Sequence, residues 1–363
     1  MPRVMQLQLH DDPLRRRPAT LLEDWPTMRQ LARSAAAAGA EVRVVSVCEV
    51  AEQHRVDGVD YLFLPRAALA QQLQAWRPQL LHVQGLAQGL ALPPLLDRWP
   101  ELPVLLQDRA DRPPRPWRWL AWRRALARAR GVMFCDAGQA APWRRRGLLA
   151  PGAQVYELPG SSSDFGPQPR DAARARCGMT GEPALLWVGH LDANKDPLTV
   201  LDGLARAAPY LPDLQLWCCY GSNALVPEMR ARVAADPRLR GRVHWLGRVP
   251  HGQVETLMAA ADALVQGSHR EATGFTVLEA LACALPPLVT DIPAFRALLG
   301  APAEAGRLWR VGHGEGLAQA LLSLMREPEA ARRAAARQRF EHCLSPTAWG
   351  QRLVAIYEDA LRP

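Results

Sequence analysis

The stretch Ala263-Leu264-Val265-Gln266-Gly267-Ser268-His269-Arg270-Glu271-Ala272-Thr273-Gly274-Phe275-Thr276-Val277-Leu278-Glu279-Ala280-Leu281-Ala282 decides the fold. Its first four residues form an apolar run of strand length. A polar loop follows, and a helical pattern begins near Gly274 and runs over Thr276–Ala284. Pro287–Thr290 then reads as the next strand. A strand, a loop, a helix and a second strand in that order make a unit of parallel sheet.

Working outward, the same alternation fills the chain twice. Strands are predicted at Val4–Leu9, Glu41–Val47, Tyr61–Leu64, Leu80–Val83, Pro103–Leu106, Val132–Phe134 and Val155–Leu158. A second set covers Ala184–Val188, Leu214–Cys219, Val243–Leu246, Ala263–Gln266, Pro287–Thr290 and Leu308–Val311. Amphipathic helical patterns lie between them, at Trp25–Ala38, Ala67–Trp76, Pro197–Ala207, Pro227–Ala235 and Gly252–Ala261 among others. Pro159–Pro169, rich in Gly, Ser and Pro, reads as a linker. Ser345-Pro346 reads as a helix start. The expected class is α/β, with two Rossmann-like doubly wound domains facing a cleft. One spans 1–165 plus a C-terminal helix at 346–363, the other 166–345. Ligands of such sheets sit at the carboxyl ends of the strands, so the loops there carry the function.

Composition sets limits. The chain has 363 residues, enough for two cores, with 48% hydrophobic and 22% charged residues. No apolar run reaches the roughly 18 residues that span a bilayer. Residues 1–12 lack the apolar stretch of a secretory signal. The seven cysteines are scattered without a CxxC pair, so no zinc or redox site is expected, and buried thiols in a reducing cytoplasm fit. The net charge is +8, which fits nucleic acid, an anionic membrane or a phosphorylated substrate. Of 44 Lys and Arg residues, Lys195 is the one lysine. A lysine that persists among arginines is either a chance survivor or a place for a compact ammonium rather than a planar fork.

Two loops offer chemistry. In Leu185-Leu186-Trp187-Val188-Gly189-His190-Leu191-Asp192-Ala193-Asn194-Lys195-Asp196-Pro197 a buried strand ends at Gly189 and a helix begins near Pro197. That places Lys195 before a helix amino terminus, beside free N–H groups suited to phosphate. In the opening stretch Glu271 lies in the loop and Glu279 more than one turn into the helix. Gly274 would let backbone approach a ligand, and the helix start favours an anion.

These segments resemble the Glu-x7-Glu motif and the Gly-x-Leu-x3-Lys phosphate loop of retaining GT-B glycosyltransferases, most closely glycosyltransferase family 4, from about Val155 to Tyr357. The resemblance implies that residues 166–345 bind a nucleoside-diphosphate sugar and that residues 1–165 with 346–363 face the acceptor. It implies that Lys195 neutralises the donor diphosphate and that Glu271 orients the sugar hydroxyls near the anomeric carbon, making these two the catalytic pair. Gly189 and His190 belong to the phosphate loop. Backbone N–H groups near Gly274, Phe275 and Thr276 would hold phosphate, Glu279 the ribose hydroxyls, and the loop around Arg248 and Val249 the base. No metal and no other cofactor is implied, because such sites use cationic side chains and helix dipoles.

Departures from the family pattern fall mostly on the acceptor side. His190 stands where an arginine is usual, and Ala284 where a glycine is common. Gln84 replaces one histidine and Arg109 another. An arginine cannot act as a base at neutral pH, which leaves Asp108, Asp111 or a donor phosphate oxygen for that task. Asp11-Asp12-Pro13-Leu14 and three arginines replace a glycine-rich loop.

The Arg112–Arg130 stretch interleaves Trp and Arg behind several prolines. It reads as a helix that either packs its tryptophans on the sheet or lies on an anionic membrane, which would suit a lipid-linked acceptor. Arg and Trp also grip single-stranded nucleic acid, but nucleic acid is not the expected partner. The expectation is a cytoplasmic retaining transferase moving a sugar to a glycan, lipid-linked or small-molecule acceptor, with contact at the inner face of a membrane as an option that the Arg112–Arg130 stretch leaves open beside packing on the sheet. Arg109 and His190 motivate an alternative, a non-catalytic scaffold that keeps the nucleotide-sugar site.

Overall fold

The computed structural model describes residues 1–9, 16–24, 26–150 and 152–362. The chain forms two compact units, Met1–Ser162 with Pro346–Pro363, and Ser163–Ser345. Trp25 and the Asp11-Asp12-Pro13-Leu14 segment lie outside the described residues.

The first unit carries β1 (Arg3–Gln8), β2 (Glu41–Val47), β3 (Glu52–Val56), β4 (Val59–Leu64), β5 (Leu80–Gln84), β6 (Val104–Gln107), β7 (Gly131–Phe134) and β8 (Gln154–Glu157). Their order in the sheet is β3-β4-β2-β1-β5-β6-β7-β8. All neighbours are parallel except β3 and β4. Alternate residues feed opposite faces: Val4, Val42 and Val44 enter one core, Met5, Val45 and Val47 the other. The C-terminal helix Pro346–Ala360 starts on Pro346 and buries Trp349, Leu353 and Tyr357 against Leu31, Ala32 and Ala35 of the Pro26–Ala37 helix.

Strand β3 was not expected. It is polar and lies at the sheet edge, so no apolar run announces it. Its signal is the Asp57-Gly58 pair, with φ of 52° and 78°. Two left-handed residues make the tight hairpin turn that Asp-Gly favours. The Arg112–Arg130 stretch is also less regular than one helix. Pro116–Arg118 is a 3₁₀ turn, and the α-helix covers only Trp119–Ala127.

The second unit carries β9 (Ala184–Val188), β10 (Gln215–Cys219), β11 (Val243–Gly247), β12 (Ala263–Gln266), β13 (Pro287–Thr290) and β14 (Arg307–Trp309). The order is β11-β10-β9-β12-β13-β14, all parallel. The chain winds outward one way from β9 and the other way from β12. The crevice between their carboxyl ends is therefore the switch point at which such sheets bind ligands. A buried carboxylate braces the opposite end: Asp262, just before β12, accepts from Arg170, Arg174 and the Ala184 N–H at 2.7, 3.0 and 2.8 Å.

Candidate active site

The loops after β9 and β12 meet at this switch point. Gly267 makes the approach feasible, since a Cβ there would lie 2.8 Å from the Asp196 carbonyl oxygen and 2.9 Å from that of Lys195. Four contacts then join the loops. The His269 N–H donates to Asn194 O at 2.7 Å, and Asn194 Nδ2 to Arg270 O at 3.1 Å. His269 Nε2 and Asp196 Oδ2 are 3.0 Å apart. Lys195 Nζ forms an ion pair with Glu271 Oε1, both side chains largely shielded from solvent. The ammonium is aimed by its own backbone, because the Asp192 carboxylate accepts from the Lys195 N–H at 3.0 Å.

The helix Pro197–Ala207 that follows Lys195 offers fewer free N–H groups than its sequence suggests. Pro197 has none, and the Asp196 side chain accepts from the Thr199 N–H at 3.2 Å. The helix Phe275–Ala282 is the more open one: its N-cap is Gly274, and no side chain caps it. The N–H groups of a first turn have no partner inside the helix, so Phe275 and Thr276 present donors, with the macrodipole behind them. Gly274 has φ of 84°, and a Cβ there would meet the Phe295 ring at 2.6 Å. That glycine is needed for the turn and for Phe295, rather than for room on a ligand's side.

Glu279, one turn further on, has a partner that the sequence reading missed. His251 Nε2 lies 2.8 Å from Glu279 Oε1. Phe165 packs on the His251 ring, centroids 4.7 Å apart and planes at 34°. The hydrogen bond to Glu279 raises the His251 pKa against the opposing effect of burial. His251 opens the helix His251–Ala260 directly after exposed Arg248, half-buried Val249 and Pro250. Its place in the loop after β11 was the available signal.

His190 is exposed, and its Nδ1 accepts from the Ser222 N–H at 3.0 Å. In the neutral ring this leaves the proton on Nε2, as a donor. Gly189, His190, Lys195, Arg248, Val249, Glu271, Gly274, Phe275, Thr276 and Glu279 thus all lie in the second unit, on the loops after β9, β11 and β12 or on the helix after β12.

Asp108 and Arg109 lie in the first unit, after β6. The Asp108 carboxylate accepts from the N–H groups of Asp111 (3.0 Å) and Ala110 (3.3 Å). Asp111 accepts from Leu86 (2.7 Å) and Ala87 (3.1 Å). Both carboxylates therefore shape backbone, and Ala110 is held at φ of 70°, a strained conformation for an alanine. Arg109 donates from Nε to Gln84 Oε1 at 2.8 Å. A relay continues inward: Gln84 Nε2 to His82 Nε2 at 3.0 Å, then His82 Nδ1 to the Tyr357 hydroxyl at 2.7 Å. Burial first, and Arg109 second, push the His82 pKa down to about 3. His82 is thus neutral, with its proton on Nδ1. Among the described residues no group of three or more His, Cys, Asp or Glu is arranged to hold a metal ion.

Comparison with known proteins bears on the family of the second unit and on the fold. Residues 170–339 match the family model described as glycosyl transferases group 1. The D-inositol 3-phosphate glycosyltransferase of Mycobacterium bovis (strain BCG / Pasteur 1173P2) is 34% identical over 139 residues, a match that spans 37% of this chain and 28% of the relative's length. Two solved structures share the fold over nearly the whole chain. Sucrose-phosphate synthase from Thermosynechococcus elongatus is 19% identical, covering 98% of both chains with a TM-score of 0.70. Anabaena Alr3699/HepE in complex with UDP is 15% identical, covering 98% of this chain and 100% of its own with a TM-score of 0.73. Residues 170–339, most of the second unit, are thus similar to the group 1 glycosyltransferases, and the two sheets share the GT-B fold of these solved structures.

Proposed function

We propose that this chain transfers a sugar from a nucleoside-diphosphate sugar to a glycan, lipid-linked or small-molecule acceptor, with retention at the anomeric carbon and without a bound metal. The observation that carries the reading is the Lys195–Glu271 ion pair at the switch point, beside the uncapped start of the Phe275–Ala282 helix. A diphosphate placed there meets one ammonium and a helix amino terminus. As the leaving group gains charge, Lys195 and the N–H groups of Phe275 and Thr276 stabilise it, preorganised and partly shielded from water. His190 adds an Nε2–H donor from the same loop. Glu271, released by the ammonium, takes the donor's sugar hydroxyls, and Glu279 takes the ribose hydroxyls. The backbone around Arg248 and Val249 meets the base. Alr3699/HepE was crystallised with UDP, which makes a uridine nucleotide the first donor to test.

In this reading residues 1–165 with 346–363 serve the acceptor, and 166–345 the donor, on the cytoplasmic side of a membrane. Arg109, tied to Gln84, is a fixed cation there and not a base. Because Asp108 and Asp111 are occupied with backbone, the proton of the acceptor hydroxyl passes to a donor phosphate oxygen.

The test is a thermal-shift panel of UDP, GDP and ADP, followed by a transfer assay with the stabilising nucleotide's sugars in the presence of EDTA. Stabilisation by one nucleotide, lost in Lys195→Ala and Glu279→Ala, is the expected result. No shift with any of them sinks the reading. Binding without turnover on any acceptor would instead favour a scaffold that keeps the donor site.

A further inference from the structure

The face of the first unit that carries Arg112–Gly147 is cationic to a degree matched by no other stretch of the sequence. Between Arg112 and Gln154 there are ten arginines and one acidic residue, Asp136. That carboxylate is occupied, accepting from the Gly138 N–H at 2.7 Å to cap a 3₁₀ turn. The two helical segments of the stretch lie side by side. Trp122 and Trp143 pack inward with ring centroids 5.3 Å apart. Arg123 Nε donates to Gly147 O at 2.8 Å. Their inner sides join the core.

The outer side is different. Trp117 is 72% exposed and Leu120 61%. Three residues apart, and with Arg124 four residues beyond Leu120, they share a helical stripe. Arg112, Arg115, Arg118 and Arg124 are exposed around them, and Arg144 and Arg145 on the neighbouring segment. Among the described residues, none of these six forms an ion pair. The Arg115 guanidinium sits over the Trp117 ring, 5.2 Å from its centroid.

We propose that this face docks on an anionic phospholipid surface, with Trp117 and Leu120 entering the headgroup region and the six arginines meeting lipid phosphates. The physics selects this occupant. Trp is favoured at membrane interfaces, and an aliphatic side chain beside it gains from the acyl boundary. A single-stranded nucleic acid would use stacking aromatics along a groove and would gain nothing from Leu120. A second copy of the same face would bring ten arginines against ten. The proposal deepens the reading of a lipid-linked acceptor. It rests on that reading only for its purpose, since its geometry lies wholly in the first unit.

The test uses the full chain and vesicles of phosphatidylcholine alone or of equimolar phosphatidylcholine and phosphatidylglycerol. Co-sedimentation with the anionic vesicles only, weakening as salt rises, is expected. Reversing Arg115 and Arg144 to Glu should lower partitioning by about fivefold or more for each site. Trp117→Ser with Leu120→Ser should lower it about tenfold while leaving the melting temperature unchanged. Acyl-chain-brominated lipid should quench wild-type tryptophan emission more than that of Trp117→Ser. Absence of binding to anionic vesicles at low salt overturns the proposal. So does binding that ignores Trp117 and Leu120, or displacement of the protein from vesicles by equimolar single-stranded oligonucleotide. A nucleotide-induced thermal shift in the same samples reports on the donor site separately.

Discussion

His251 Nε2 lies 2.8 Å from Glu279 Oε1, so the carboxylate offered to a ribose is already engaged by an imidazole. The hydrogen bond raises the His251 pKa above its ordinary 6.5, with Glu255 adding to the effect. A raised folded-state pKa stabilises fully below the ordinary value, and that contribution is lost as pH climbs through the raised one. The difference in melting temperature between wild type and His251→Asn should therefore be largest near about pH 5 and shrink toward about pH 9. A difference independent of pH would show that the pair carries no charge. Nucleoside diphosphate affinity should gain more from alkaline pH in wild type than in His251→Asn, because the competing partner of Glu279 loses its charge.

Lys195→Ala removes the ammonium from Glu271 and from any diphosphate. A charge-assisted contact contributes about 1.5–3 kcal/mol, so nucleotide affinity should fall roughly 10- to 150-fold, measured by calorimetry. Lys195→Arg keeps the charge but replaces a compact donor with a wide fork in a shielded niche. Turnover equal to wild type in that variant would mean that the lone lysine is an accident of composition.

Ala284 offers a gain in stability. It has φ of 58° and follows the Phe275–Ala282 helix in a left-handed turn, with Leu285 N–H donating to Ala280 O at 2.8 Å and Ala284 N–H to Leu281 O at 3.1 Å. Glycine fits that position without the Cβ penalty. Ala284→Gly should stabilise the second unit by about 1 kcal/mol, a rise of about 2–4 °C in melting temperature. A fall would mean that the alanine methyl group contributes more through packing than the backbone loses.

Asp262 is the reverse case. Only 4% of its side chain is exposed, and two arginines and a backbone N–H converge on it. Asp262→Ala removes the buried partner of both guanidinium groups, leaving Arg170 only Glu329 at 3.6 Å and Arg174 only Glu182 at 3.9 Å, and should cost about 3 kcal/mol in denaturant unfolding. A cost below about 1 kcal/mol, the value of a surface pair, would remove Asp262 from the framework of the unit.

Much of this was legible in the sequence, and the reasons are physical. Runs such as Ala184–Val188 and Ala263–Gln266 are buried on both faces, so they stand out as unbroken apolar segments. Strand β3 alternates with solvent and has no such run. At the site, the loops themselves could be located, because strand ends and helix starts have local signatures. Their partnerships could not. His251 and Glu279 are 28 residues apart, and Lys195 and Glu271 are 76. Pairing at that range is set by the order of strands in the sheet, which no short window contains. The capping of the Pro197–Ala207 helix by Asp196 was written in the sequence as Asp-Pro, and it leaves the Phe275–Ala282 helix with more open donors.

Tyr357→Phe probes the first unit. Its hydroxyl accepts from His82 Nδ1 at 2.7 Å and Gln6 Nε2 at 3.2 Å. Removing it strands two buried donors, at a cost of about 1–3 kcal/mol. Because His82 is buried neutral with a depressed pKa, its contribution is present above about pH 6.5 and is lost as pH falls toward 3. Protonation at Nε2 leaves the Nδ1–H in place, so both proteins should lose stability in acid while the gap between them persists. A gap that vanished in acid would mean that the Tyr357 hydroxyl does not accept from His82.

Tyr357 also fixes an order of events in the making of the molecule. The first unit takes residues from before and after the second, while Ser163–Ser345 is continuous. As the chain leaves the ribosome, the later unit has everything it needs before the earlier one does. The sheet of the first unit must wait, with the place of Trp349 and Tyr357 unfilled, until the Pro346–Ala360 helix is released. Synthesis usually lets the amino-terminal domain finish first; here the hydroxyl that completes the His82 relay arrives only after the second unit has been made.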